Sequence, residues 1–145
     1  MTTETETAAT ADRFPIRIGR RSRRFIRLFF TATPETAYAE LADDLVIRFG
    51  RFRLETPVSN LASWRIEGPW RWITAIGVRR SVRHADVSFA GSPHGGVRID
   101  FRDPVRWGPL TVPAVYVGAD DLEAFAAALG GGGIQGVDAR KRRVD

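Results

Sequence analysis

The fold is decided by a stretch of alternating side chains, residues 45–55, which read LVIRFGRFRLE. Leu45, Ile47 and Phe49 fall on one side of an extended chain and their neighbours on the other, which is the period of a half-buried β-strand. The Gly50-Arg51 pair is a turn signal, and the alternation resumes directly after it. The stretch therefore predicts a β-hairpin with one face in the core.

The same alternation, interrupted by turns rich in Gly, Pro, Asn and Asp, predicts further short strands on both sides of this hairpin. They are residues 37–41, which are expected to form a hairpin with residues 45–49 across the turn-forming residues 42–44, and residues 61–66, 72–76, 86–90, 97–102 and 111–117. After an N-capping Asp120-Asp121 pair, Leu122, Phe125, Ala126 and Leu129 follow at helical spacing. The expected fold is mainly β (α+β): a bent antiparallel sheet or partial barrel of about seven strands, closed by this C-terminal helix.

Residues 13–30 are predicted to form a basic extension of that domain. Phe14, Ile16 and Ile18 alternate as in a strand, which Pro15 would confine to a sheet edge. Residues 20–30 wind as an amphipathic helix with arginines opposite the apolar side chains, although the Phe and Ile content leaves a strand open. Two roles are open for the apolar side, namely docking on the sheet and contact with a partner.

The 145 residues fit one domain with a single core. The predicted organisation is a disordered acidic tail (1–12), the basic extension (13–30), the main domain (31–129), and a glycine linker with a basic tail (130–145). Because the chain has no cysteine, disulfides, thiolate metal ligands and a cysteine nucleophile are excluded. The polar, acidic N-terminus and the lack of a long apolar run predict a cytoplasmic protein.

Positive charge is concentrated before the main domain. Residues 13–28 contain seven arginines and no acidic residue, whereas residues 29–137 contain 11 arginines and 12 acidic residues. Such a segment suits phosphates of lipid headgroups or nucleic acid, or an acidic protein face. The alternative is a solvated face, or arginines paired with the acids of the domain. The candidate binding residues are Arg17, Arg20, Arg21, Arg23, Arg24 and Arg27.

A second candidate is the pair Trp70 and Trp72, which flank one arginine beside a predicted turn. In an extended chain both indoles point the same way, as in an interfacial anchor or the centre of a protein interface. The alternative is that one or both cap the hydrophobic core.

No metal, cofactor or catalytic site is predicted. His84 and His94 are the only histidines, too few for a metal site without carboxylate ligands. His84, Asp86 and Ser88 would share one strand face, but nothing marks an oriented nucleophile or an oxyanion hole. The glycines at 130–133 follow a predicted helix, whereas glycine-rich phosphate loops precede one.

Residues 43–64, DDLVIRFGRFRLETPVSNLASW, resemble the second and third strands of bacterial pleckstrin-homology-like domains. Residues 110–125, LTVPAVYVGADDLEAF, resemble the last strand and capping helix of those domains. Residues 14–21 and 67–70 are similar to an uncharacterised family of actinobacteria such as mycobacteria. The resemblance, which spans about Arg13 to Leu129, implies the fold and carries over no functional residue. The phosphoinositide-binding basic motifs of eukaryotic members are not matched.

Together these features predict a non-catalytic binding or docking module for a protein or an anionic membrane surface. Such a protein would be cytoplasmic or peripheral to the membrane. Two alternatives remain open: a nucleic-acid-associated protein that uses its basic ends, and a small-ligand carrier or enzyme that uses the barrel interior.

Overall fold

Two β-sheets and two α-helices form the structure. The computed structural model describes residues 12–20, 22–68, 77–80, 87–90 and 94–140. Over these residues the protein is mainly β, as the alternating sequence predicts. The strands are β1 (Asp12–Pro15), β2 (Ala37–Leu41), β3 (Asp44–Phe49), β4 (Phe52–Pro57), β5 (Leu61–Glu67), β6 (Gly77–Arg80), β7 (Val87–Ala90), β8 (Gly96–Trp107), β9 (Leu110–Val117) and β10 (Gly136–Asp138), and the helices are α1 (Arg23–Phe30) and α2 (Leu122–Gly131).

The first sheet has the order β1-β2-β3-β4, and all its pairs are antiparallel. Leu45, Ile47 and Phe49 of β3 are fully buried, so the inward face that the alternation predicts is confirmed. β2 and β3 form the hairpin predicted across residues 42–44, and β3 and β4 are joined by the Gly50-Arg51 turn. β1 lies at the edge of the sheet. Pro15 has no backbone N–H, and at an edge this interrupts no hydrogen bonds between inner strands.

The second sheet has the order β10-β5-β8-β9-β7-β6 and includes two parallel pairs, β10 with β5 and β7 with β9. β8 runs twice as far as the predicted strand at 97–102. Pro104 interrupts its alternation, and the register with β9 shifts between Asp100 and Val105, where the irregularity accommodates the proline. The predicted strand at 72–76 lies outside the described residues.

The described strands form two sheets, where one bent antiparallel sheet or partial barrel was expected. The described residues contain ten strands in two sheets, and the sheets do not form a closed barrel, so the estimate of about seven strands was too low. The extra strands are short segments in which three or four residues carry no readable alternation. The core lies between the sheets and contains the large buried side chains Phe49, Phe89 and Phe125.

The C-terminal helix α2 packs on both sheets. Its predicted inward residues Leu122, Phe125, Ala126 and Leu129 are all buried. α2 contacts β5 and β8 of the second sheet, and the ring centre of Phe125 lies 5.1 Å from that of Phe14 in β1. Asp121 caps the helix, since its Oδ1 accepts a 3.0 Å hydrogen bond from the backbone N–H of Ala124.

The segment after α2 differs from the predicted linker and mobile tail. α2 continues through Gly131, and the chain then returns through the buried Ile134 to pair β10 with β5. The indole Nε1 of Trp64 donates to the carbonyl of Ile134 at 2.8 Å. Arg140 forms ion pairs with Glu123 (2.5 Å) and Asp138 (2.8 Å), and these carboxylates raise the pKa of its guanidinium above the ordinary value. Residues 141–145 lie outside the described part.

The basic extension is an integral part of the fold. The backbone N–H of Ile16 donates to the carbonyl of Ala37 in the first sheet at 2.9 Å. The next N–H, of Arg17, donates to the carbonyl of Gly118 at the end of β9 at 3.0 Å. Residues 16 and 17 therefore tie the two sheets together immediately before α1, which is helical as the amphipathic pattern favours.

Candidate functional site

α1 is fixed to the domain by one side of the helix only. Ile26 is fully buried, and the ring centre of Phe30 lies 6.0 Å from those of Phe49 and Phe52. The helix ends at Thr31, whose left-handed φ of 53° turns the chain towards the first sheet. The anchored side is therefore the side that carries Ile26 and Phe30.

The remaining apolar side chains of α1 are exposed to solvent. Phe25, Leu28 and Phe29 are 43%, 73% and 53% exposed, and the ring centres of Phe25 and Phe29 are 4.8 Å apart. At about 100° per residue, these three side chains occupy one sector of about 100°. Of the five apolar residues that the sequence places on one side, only two dock. Adjacent large apolar side chains left in solvent mark an interaction surface.

Exposed arginines occupy the side of α1 that adjoins Leu28, and Arg24 is the one nearest to this apolar sector. Arg23, Arg24 and Arg27 form no ion pair within the part of the chain that the structure describes. The first turn of α1 has no acidic residue, and arginines there oppose the helix dipole at a cost of about 0.3–1 kcal/mol each. The charge of the first turn therefore does not stabilise the helix, whereas Arg27 in the last turn is favourably placed. We call the α1 surface the six residues Arg23, Arg24, Phe25, Arg27, Leu28 and Phe29.

Two more exposed arginines lie beside the ends of α1. Arg20 precedes the helix in the chain. Arg51 reaches the other end from the β3–β4 turn, where its backbone N–H donates to the carbonyl of Phe30 at 3.4 Å and its guanidinium lies 4.9 Å from the ring centre of Phe52. Arg51 could not be recognised from the sequence, because only the tertiary contact between the turn and the helix brings it to this surface.

Of the other candidate residues from the sequence, Arg17 is engaged elsewhere in the domain. The Nε of Arg17 lies 2.6 Å from Oδ1 of Asp120, and its second nitrogen donates to the carbonyl of Asp120 at 3.0 Å. Arg17 thus holds the extension to the start of α2, and a carboxylate compensates its charge. Arg21, Trp70 and Trp72 lie outside the described residues.

The described residues offer neither a cluster of metal ligands nor a membrane-spanning helix. They include no group of three or more His, Cys, Asp or Glu side chains arranged to hold a metal ion. None of the helices among them has the length and apolar character needed to cross a membrane. His84 and Asp86 of the strand-face set considered above lie outside this part of the chain.

The outer face of the second sheet is a second polar surface, but its charges pair with one another. The hydroxyl of Tyr116 donates to Oε1 of Glu67 at 2.7 Å, and Arg65 lies 2.9 Å from the same carboxylate group. Arg98 pairs with Asp100 at 3.0 Å. Burial raises the pKa of Tyr116, and the hydrogen bond to Glu67 raises it further. Charges that pair with one another in this way stabilise the sheet face, so they give no evidence of a binding site there.

We expect Glu67→Gln to lower the pKa of Tyr116. The carboxylate of Glu67 raises this pKa in two ways: it accepts a hydrogen bond from the neutral phenol, and its charge repels the phenolate. A neutral amide is a weaker acceptor and carries no charge, so both effects become smaller. Spectrophotometric titration of the phenolate measures the change in a Tyr38→Phe background, because the chain has only two tyrosines. A pKa that stays the same or rises would contradict the role given to Glu67.

Two open grooves border the C-terminal segment. One has a volume of about 410 Å³ and includes Trp64 and Asp100 in its walls, and the other has about 370 Å³ and includes Arg102. Asp100 pairs with Arg98, and the Nε of Arg102 donates to the carbonyl of Ser59 at 3.1 Å. Because these charged groups are already engaged within the domain, the α1 surface is the stronger candidate site.

The resemblance to bacterial pleckstrin-homology-like domains has no support from known proteins and stays a prediction. A function is therefore inferred from the geometry and charge of the α1 surface. No protein-family model, no curated protein and no solved structure matches this chain.

Proposed function

We propose that this protein is a non-catalytic docking module of the pleckstrin-homology-like kind, which attaches to a protein or membrane surface through α1. The observation that carries the proposal is the exposure of Phe25, Leu28 and Phe29 on a helix that the domain holds by its other side. Complete burial of one such side chain is worth about 1.5–3 kcal/mol. A surface that covers all three gains a large part of that energy.

The order of the elements supports a pleckstrin-homology-like module. A four-stranded antiparallel sheet precedes the second sheet, and α2 closes the core after the last long strand. Large buried side chains such as Phe49, Phe89 and Phe125 occupy the space between the sheets. A filled interior favours a function on the outer surface over the carriage of a small ligand inside.

A triple variant, Phe25→Ser/Leu28→Ser/Phe29→Ser, tests the proposal without changing the core. In a lysate of cells that express the chain, we expect the wild type to sediment with membranes or large complexes and the variant to remain in the supernatant. The thermal midpoint of the variant should change little, because exposed substitutions have small effects on stability.

The matched control for this experiment is Val137→Ser, which removes an apolar side chain of comparable exposure (59%) from the opposite end of the chain. It should sediment as the wild type does. Purified wild type alone should stay in the supernatant at the same concentration, which separates docking from self-aggregation. If the triple variant and the wild type fractionate alike, the docking proposal is wrong.

A further inference from the structure

We infer that the surface that covers α1 is a bilayer of anionic phospholipids, with the helix lying in the plane of the membrane interface. This inference rests on the proposed docking function and names its partner. It follows from the arrangement of the side chains, the size of the exposed apolar area and the distribution of charge.

The side chains of α1 are arranged as in a helix that lies in a bilayer interface. Such helices place aromatic and leucine side chains at the acyl boundary and basic side chains among the headgroups. Leu28, the most exposed apolar residue, has Arg24 as its neighbour, about 40° away around the helix. The aliphatic part of an arginine can lie along the apolar sector while its guanidinium reaches the phosphates.

The small apolar area favours a bilayer over a protein partner. A stable protein interface buries about 800 Å² on each side, of which about 450 Å² is apolar. Phe25, Leu28 and Phe29 together expose about 340 Å² of apolar side chain, if each has a full area of about 200 Å². A bilayer requires no minimum area, because each inserted apolar group and each basic residue adds its own contribution to binding.

The charge around α1 complements an anionic surface along the whole helix. Arg20 and Arg51 add exposed positive charge at its two ends, beyond the three arginines of the α1 surface. The helix spans about 12 Å, so several lipid phosphates can be contacted at once. Phosphates near the first turn also relieve the unfavourable interaction of its arginines with the helix dipole. RNA offers phosphates as well, but it would leave the apolar sector without a partner.

The anchoring of α1 allows it to meet a flat surface without leaving the domain. Ile26 and Phe30 point into the protein, whereas Leu28 points away from it. The β3–β4 turn packs under the C-terminal end of the helix, where Gly50 is buried. Because the helix is already ordered, little conformational entropy is lost when it binds.

Co-sedimentation of the purified full chain with vesicles tests the inference. The probes are phosphatidylserine–phosphatidylcholine vesicles, phosphatidylcholine vesicles and a single-stranded RNA. We expect binding to the anionic vesicles alone. Arg23→Gln/Arg24→Gln/Arg27→Gln should weaken it about 100-fold, at about fivefold for each arginine. The triple serine variant should weaken it by at least about 100-fold.

A charge-matched control is Arg13→Gln/Arg65→Gln/Arg102→Gln, which removes the same charge from other exposed positions. Its affinity for anionic vesicles should stay within about threefold of the wild type, because those arginines lie away from the contact. A loss equal to that of the α1 variant would mean that overall charge, and not the α1 surface, determines binding, and would overturn the inference.

The lack of cysteine allows a direct measurement of insertion. Leu28→Cys introduces the only thiol of the chain, which can carry a fluorophore that reports polarity. Its emission should shift to the blue with anionic vesicles, whereas the same label at Val137→Cys should not shift. If neither label shifts although vesicles and protein co-sediment, the helix does not enter the interface and the inference is wrong.

The remaining outcomes separate the inference from the proposed function. If the wild type ignores anionic vesicles while lysate fractionation still depends on Phe25, Leu28 and Phe29, the partner is a protein and the docking function stands. Binding to RNA that only the arginine variant loses would identify a nucleic-acid surface and overturn the inference. Equal binding to neutral and anionic vesicles would mean that the arginines do not select anionic lipids, and would overturn the inference of an anionic bilayer.

Discussion

Gly50→Ala is expected to lower the free energy of unfolding by about 3 kcal/mol or more, and the thermal midpoint by about 10 °C. Gly50 has a φ of 64°, a conformation that costs an L-residue about 1 kcal/mol. A Cβ at this position would overlap the carbonyl oxygen of Phe30 and lie 2.7 Å from the carbonyl carbon of Thr31. These are backbone atoms, so the C-terminal end of α1 would have to move.

Gly108→Ala is the matched control for this prediction. Gly108 has a φ of 62°, almost the value of Gly50, but a Cβ there meets no described atom within 4 Å. The two variants therefore share the conformational cost and differ in the steric one. Thermal or denaturant unfolding should show a loss of about 1 kcal/mol for Gly108→Ala. If both variants lose equal stability, α1 is not fixed over the β3–β4 turn.

The strands with an alternating pattern, including the short β1 and β7, could be predicted from the sequence, whereas β6 and β10 could not. β3, β9 and α2 have enough residues for their period to be read locally. β6 and β10 have four and three residues without a readable alternation, and β10 pairs with β5, which lies far earlier in the chain. The glycines after residue 129 indicated a linker, but the burial of Ile134 and its hydrogen bond to Trp64 bring the chain back to the sheet.

The candidate site could be predicted in its composition but not in its orientation. The helical period separates the arginines of α1 from its apolar residues, and this was readable from the sequence. Which apolar side chains stay exposed depends on the positions of Phe49 and the β3–β4 turn, which no local pattern encodes. In the same way, only the fold shows that Arg17 pairs with Asp120, 103 residues further along the chain.

Phe125→Ala is expected to lower the free energy of unfolding by about 3–5 kcal/mol, because it leaves a cavity that the surrounding structure fills only partly. Phe125 is fully buried, and its ring packs against Phe14 of the first sheet. Because α2 also contacts the second sheet, the loss of this ring weakens the packing of the helix on both sheets. Equilibrium denaturation measures the change. A loss below about 1 kcal/mol would mean that α2 does not close the core.

Phe29→Ala is the matched comparison, since it makes the same truncation on the other helix. Phe29 is 53% exposed, and alanine favours a helix more than phenylalanine does, so stability should stay within about 0.5 kcal/mol of the wild type. The contrast between the two variants divides the large apolar side chains into those that stabilise the fold and those that do not. Because Phe29→Ala leaves the folded domain intact, any loss of surface attachment in that variant comes from the missing contact itself.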